Sequence, residues 1–245
     1  MECLIGLVGG DYAMIAADMN AGRSIMVFNQ EADRIMEMDS HKLLGVCGDP
    51  ADCVNEPQFF QKNLNLYALR NAEKQLSTHA TANYMRGEKS ANLRKGMKQV
   101  DMLLCGFDEG KGPSLYFIDY LASMQKLNVA GHGYGGMFVN RRAPPPAPRR
   151  AAPLRATPLP ATPLPAAPRA ATSALTRPLA RPRSLLDAHW KEGMTEEEGM
   201  HLMKLCIAEI NTRFMINMPN WVIKVVDKNG VRTVRKGPAA AAPAS

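Results

Sequence analysis

The chain predicts an α+β fold in which two antiparallel sheets pack face to face and helices cover their outer sides. Three observations carry that expectation. Strand-like apolar runs come first, then two helical stretches, more strands, helix and a final strand pair, and such segregation favours antiparallel sheets over alternating parallel units. Hairpin turns mark both ends, at Gly9-Gly10-Asp11 and at Asp227-Lys228-Asn229-Gly230. The chain has 245 residues, 46% apolar and 22% charged, enough for one well-packed domain.

Each element has its own signal. The runs Leu4 to Val8, Tyr12 to Asp18, Ser24 to Phe28, Arg34 to Met38 and Leu43 to Cys47 read as strands. From Asp52 to Leu76 the spacing changes: Phe59, Phe60, Leu64, Tyr67, Ala68 and Leu76 recur every three to four residues, an amphipathic helix with Pro57 near its first turn or kinking it. Ser77 or Thr78 caps a second helix that runs to Lys95. Strands return at Val100 to Phe107 and Ser114 to Tyr120, joined by a turn through Asp108 to Pro113. A hydroxyl cap followed by Glu196, Glu197 and Glu198 opens a helix from Thr195 to Phe214, with the acids at the positive end of its dipole. Trp221 to Val226 and Val231 to Val234 form the last hairpin, and 237–245 is expected to be a flexible tail.

Charge and cysteine content narrow the function classes. The formal charge is +7, but Asn140 to Arg183 holds nine arginines, no lysine and no acid, so the other 201 residues carry −2. Basicity therefore belongs to one segment, and nucleic acid is not an expected partner of the rest. Five cysteines, without Cys-x-x-Cys spacing, read as buried thiols in a reducing compartment. No stretch approaches 18 apolar residues and the N-terminus lacks a signal-peptide pattern, so the expected location is cytoplasm and nucleus, without a membrane.

The opening hairpin, with its second strand closing in Ala16-Ala17-Asp18, resembles the start of 20S proteasome β subunits. The resemblance continues in order through Lys42 to Cys53, Leu69 to Asn71, Met102 to Asp108, Gly112 to Tyr120 and Gly131-His132-Gly133-Tyr134-Gly135, about 200 residues in all. Met1 to Gly6, the His-Gly-Tyr-Gly turn and Arg213 to Pro219 point to one non-catalytic position of the β ring. It implies the four-layer αββα sandwich of N-terminal nucleophile hydrolases, and it implies other α and β subunits as partners, in heteroheptameric rings stacked four deep. Subunits of such assemblies bury large apolar interfaces, and Met97, Tyr134 and Trp190 are candidates for them.

In active members of that family a terminal threonine is nucleophile and base, aided by a lysine and an aspartate. No threonine precedes Thr78 here, and Glu2 falls where the nucleophile belongs. Asp18 and Gly48, the latter matching the glycine of the oxyanion region, survive as vestigial matches. Arg34 stands at the lysine position, and an arginine keeps its charge where a lysine can give up a proton. His132 replaces the serine of the glycine turn, while Phe214 and Asn217 replace an Asp and a Ser near the last helix. The resemblance thus implies a non-catalytic structural subunit, an inactive member of a threonine endopeptidase complex serving ubiquitin-dependent protein degradation. Catalytic, cofactor and metal sites are all expected to be absent. An alternative is a peptidase or amidase using Cys3, which would require removal of Met1 and Glu2; methionine excision is disfavoured before a bulky acid, and Cys3 reads more simply as a small apolar strand residue. Asp18 has a plain reading as a turn cap. His132 has no second ligand at metal spacing in the sequence. Gly131-x-Gly133-x-x-Gly136 fits the dinucleotide fingerprint in form only, because prolines follow instead of a helix.

Residues 140–183 stand apart from the single domain expected over 1–245. They hold twelve of the eighteen prolines and near-repeats such as Ala156 to Pro160 and Ala161 to Pro165, so neither helix nor central strand is expected. Joining Val139 to Ser184 would restore an apolar helical stretch. The segment is either a disordered surface insertion or a translated intron, and a basic binding module built on it is the third function class.

Overall fold

The computed structural model describes residues 2–23, 26–134, 136, 185–214 and 218–238. Contacts divide the chain into one unit of residues 1–141 with 184–245 and a second of 142–183; the second, like the expected insertion 140–183, lies outside the described residues. The first unit begins with β1 (Cys3–Val8) and β2 (Tyr12–Asp18), a ribbon of β3 (Ala21–Arg23) and β4 (Met26–Asn29), then β5 (Ile35–Asp39) and β6 (Lys42–Gly48). Helices α1 (Pro50–Arg70) and α2 (Thr78–Asn92) follow, then β7 (Val100–Asp108), β8 (Gly112–Ile118), β9 (Met124–Leu127) and β10 (Val129–His132). Helices α3 (Leu185–His189) and α4 (Glu196–Arg213) and strands β11 (Asn220–Asp227) and β12 (Gly230–Pro238) complete it.

Two five-stranded sheets result, in the orders β10-β1-β2-β11-β12 and β5-β6-β7-β8-β9, with every pairing antiparallel. Side-chain alternation sorts β1 and β2 into two apolar layers. Cys3, Ile5, Leu7, Tyr12, Met14 and Ala16 face α3 and α4, meeting Leu186, Leu202, Met203 and Ile210. Leu4, Ala13, Ile15 and Ala17 face the other sheet, meeting Leu43, Leu103, Cys105 and Leu115. The second sheet's outer face carries Leu44, Met102 and Leu104 against Phe60, Leu64, Ala82 and Met85 of α1 and α2. This is the expected four-layer αββα sandwich. Both central strands are covered on both sides, which is why they read as unbroken apolar runs rather than as alternation.

Several boundaries differ from the sequence reading, each for a local reason. Helix α1 begins at Pro50, because the Asp49 carboxylate accepts from the Ala51 and Asp52 amides and proline fits the first helical position. It ends at Arg70, where Asn71 caps it and Ala72 and Glu73 take positive φ, so Leu76 lies beyond the helix. Pro57 sits buried in its third turn, not its first. Of the expected strand Ser24 to Phe28, residues 24 and 25 lie outside the described residues, and Met26 to Phe28 belong to β4, which is no core strand: Met26 and Phe28 are 61% and 68% exposed, and β4 pairs with β3 alone. Strands β9 and β10 escaped detection because each has four residues, with exposed Gln125 and Lys126 in one and Gly131 in the other. Strand β12 stays paired through Gly237 and Pro238, two residues into the expected tail; 239–245 lie outside the described residues. The expected caps are present at Ser77 and at Thr195, where Glu198 closes a capping box.

Candidate functional site

The site forms at one end of the sheet-on-sheet gap, where four segments distant in sequence meet. Glu2 precedes β1 and lies on the alternation facing the second sheet. One carboxylate oxygen, Oε1, is 3.3 Å from Nη2 of Arg34, and the other accepts the Gly48 amide. Arg34 also donates to Asp18 Oδ1 at 3.1 Å and to the Asn20 carbonyl at 2.6 Å. Asp18 Oδ1 accepts the Cys3 amide as well, at 2.8 Å. Arg34 is itself pinned: its carbonyl accepts from Val46, while buried Lys224 of β11 bonds the Ile35 carbonyl and the Asp33 carboxylate on either side of it.

Glycines make this approach possible. Gly48 has φ +143°, and a Cβ there would fall 2.1 Å from the Gln99 carbonyl oxygen. Gly133 has φ +65°, and its Cβ would fall 2.2 Å from the Glu2 carbonyl oxygen, which accepts the Tyr134 amide. Burial raises Asp18 to about 6, with Arg34 and the Cys3 amide pulling the other way and Glu2 adding to the rise. A cleft of ≈ 1080 Å³ opens beside the cluster, lined among others by Glu2, Cys47, Gly48, Asp101 and Tyr134.

Of the residues singled out from the sequence, Glu2, Asp18, Arg34 and Gly48 thus converge. His132 lies next to them in a different setting: buried, stacked on Phe117 at 3.9 Å between centroids, with Nε2 3.1 Å from the Met102 carbonyl. Its burial pushes it down to about 4, so the ring is neutral at physiological pH. Phe214 stands off the cluster, packing edge-on to Tyr134 at 5.1 Å. Asn217 lies outside the described residues. Cys3 points away from the cleft into the layer beneath α3 and α4 and is 1% exposed, which removes it from the position a nucleophile would need. Trp190 is no free surface group either; its indole N–H donates to the Val8 carbonyl. Met97 and Tyr134 do remain exposed. The dinucleotide reading fails on topology, since β10 pairs antiparallel to β1.

Cys47 and Asp101 are the site residues that sequence reasoning missed. With His132 they gather three ligand-type atoms within 4.8 Å of one another, a set that spacing could not reveal because it draws on three strands and both sheets.

What the arrangement can do chemically is limited by Glu2. The Gly48 amide, at the position where the resemblance implies an oxyanion donor, already donates to a carboxylate, and Glu2, the first described residue, brings no side-chain hydroxyl to the head of β1. The sandwich and this terminal site define a member of the N-terminal nucleophile hydrolase class, and the model of the proteasome subunit family matches residues 2–141. The chain belongs to that family and is a β-type member of it. It is 38% identical over 232 residues to proteasome subunit beta type-2 of Oryza sativa subsp. japonica, covering 95% of this chain and 89% of that protein. It is 37% identical to proteasome subunit beta type-2-B of Arabidopsis thaliana (95% and 94%) and 28% identical to proteasome subunit beta type-4 of Saccharomyces cerevisiae (96% and 97%).

Proposed function

We propose that this chain is a non-catalytic β subunit of the 20S core proteasome, forming part of the wall of the proteolytic chamber. The observation that carries this reading is Glu2: it fills the nucleophile's place and its carboxylate engages both Arg34 and the Gly48 amide, so nucleophile, lysine and oxyanion donor are lost together. Its partners are other α and β subunits in heteroheptameric rings of a four-ring stack, in cytoplasm and nucleus, acting in ubiquitin-dependent degradation. The exposed apolar side chains Met26, Val27 and Phe28 of the β3-β4 ribbon, with Leu69 and Leu121, suit burial against such neighbours. No helix among the described residues is long and apolar enough to cross a membrane.

The test is native mass spectrometry of the endogenous protein together with labelling by a threonine-directed covalent inhibitor. The chain is expected in a hetero-oligomer, with its Glu2 peptide unlabelled while other subunits react. A monomeric endogenous protein, or a labelled terminal peptide, overturns the reading.

A further inference from the structure

We propose that Cys47, Asp101 and His132 form a binding site for a thiophilic divalent cation, zinc by preference, at the floor of the cleft. This goes beyond the structural role above and does not depend on it. Cys47 and Asp101 are direct cross-strand partners in the β6-β7 ladder, so their side chains emerge side by side, and His132 reaches them from β10 of the other sheet.

Two of the three groups, His132 and Asp101, are oriented from outside the cluster. The Met102 carbonyl can only accept, so His132 Nε2 carries the hydrogen and Nδ1 presents a lone pair inward; this carbonyl contact is the support that metal-ligating histidines commonly have. Phe117 fixes the ring plane. Asp101 Oδ1 is held by the Tyr120 amide at 2.9 Å, leaving Oδ2 facing Nδ1 at 3.7 Å. Two acceptors facing each other repel unless something positive lies between them. Cys47 Sγ completes the set within 4.8 Å.

A tetrahedral zinc with one sulfur, one nitrogen and one oxygen ligand needs ligand atoms about 3.3–3.6 Å apart. The Nδ1–Oδ2 pair is already within about 0.1 Å of that range, and the sulfur moves in by about 1.2–1.5 Å at most. Soft thiolate with imidazole and carboxylate selects zinc over magnesium or calcium. On binding, the Cys47 thiol gives its proton to water and its sulfur lone pair to the metal, with no change of oxidation state. Since Cys47 and Asp101 both line the cleft, the fourth position opens toward it and takes water. The metal would tie β10 of one sheet to β6 and β7 of the other.

The experiment titrates the full-length chain with cobalt(II) as a spectroscopic stand-in and then displaces it with zinc. One cobalt per chain is expected, with a thiolate-to-cobalt charge-transfer band. Cys47→Ser abolishes the band, Asp101→Asn and His132→Gln weaken binding at least about tenfold, and Cys53→Ser leaves both unchanged. As a readout independent of variants, zinc-edge absorption on the wild-type chain gives one sulfur and two or three nitrogen or oxygen neighbours. Absence of stoichiometric binding, a band that survives Cys47→Ser, or a sulfur-free zinc shell overturns the proposal.

Discussion

Replacing Glu2 by threonine, in a chain that begins at that threonine, separates a missing nucleophile from a dismantled site. The substitution restores hydroxyl and amine and frees the Gly48 amide. It also removes the carboxylate's contacts with that amide and with Arg34, both in a region where Glu2 and Arg34 side chains are only 15% and 11% exposed. A hydrogen bond to a charged group contributes about 1.5–3 kcal/mol. Arg34 keeps Asp18 and the Asn20 carbonyl as partners, so no buried charge is orphaned and the expected net loss is about 2 kcal/mol. For a domain of this size that lowers the melting temperature by about 4–8 °C. Catalysis is not expected to return. Groups that act as a unit are grossly non-additive, and losing one member of a hydrolytic triad can cost on the order of a millionfold, nearly as much as losing all. Arg34 would still stand at the position that the resemblance to active β subunits gives to a lysine. Fluorogenic peptide turnover, intact-mass analysis after a threonine-directed inhibitor and thermal melts of both chains test this. Turnover above the Glu2 protein, or a labelled Thr at position 2, refutes the reasoning on catalysis; an unchanged melting temperature refutes the role given to the Glu2 carboxylate.

Asp18 gives a pH signature: its folded-state value is raised from 3.8 to about 6 by burial, so the native chain binds this proton more tightly than the unfolded chain, and stability from Asp18 is lost as pH rises from 3.8 through 6. Relative to wild type, Asp18→Asn should therefore gain about 3 kcal/mol on going from below pH 3.8 to above pH 6, and denaturant titrations showing a pH-independent difference count against it. Trp221 is fully buried beneath α4, with its indole N–H on the Met218 carbonyl, so Trp221→Ala should cost about 3–5 kcal/mol by chemical denaturation; a cost below about 1 kcal/mol would show the layer to be loosely packed. Deleting 140–183 should leave assembly with partner subunits intact or improved, since closing a loop costs only logarithmically in its length; failure of the deletion chain to assemble rejects this, and tryptic peptides from inside the segment in native protein reject a translated intron.

Much was decided locally and could be read from the chain. Gly9-Gly10-Asp11 dictates the first hairpin, Thr195 with Glu198 dictates the start of α4, and the apolar runs of β1 and β2 announce strands covered on both faces, because turns, caps and burial patterns depend on neighbours a few residues apart. That no threonine precedes Thr78 and that Glu2 stands at the head of β1 were likewise plain in the sequence. Only the tertiary structure decided what Glu2 does there, since its partners Arg34 and Gly48 arrive from the residue before β5 and from the end of β6, and the register of two sheets has to be set before a carboxylate can find that amide. The same reason hid Cys47, Asp101 and His132: a cross-strand pair on one sheet and a strand end on the other share no spacing in sequence, and only the stacking of the sheets makes them neighbours.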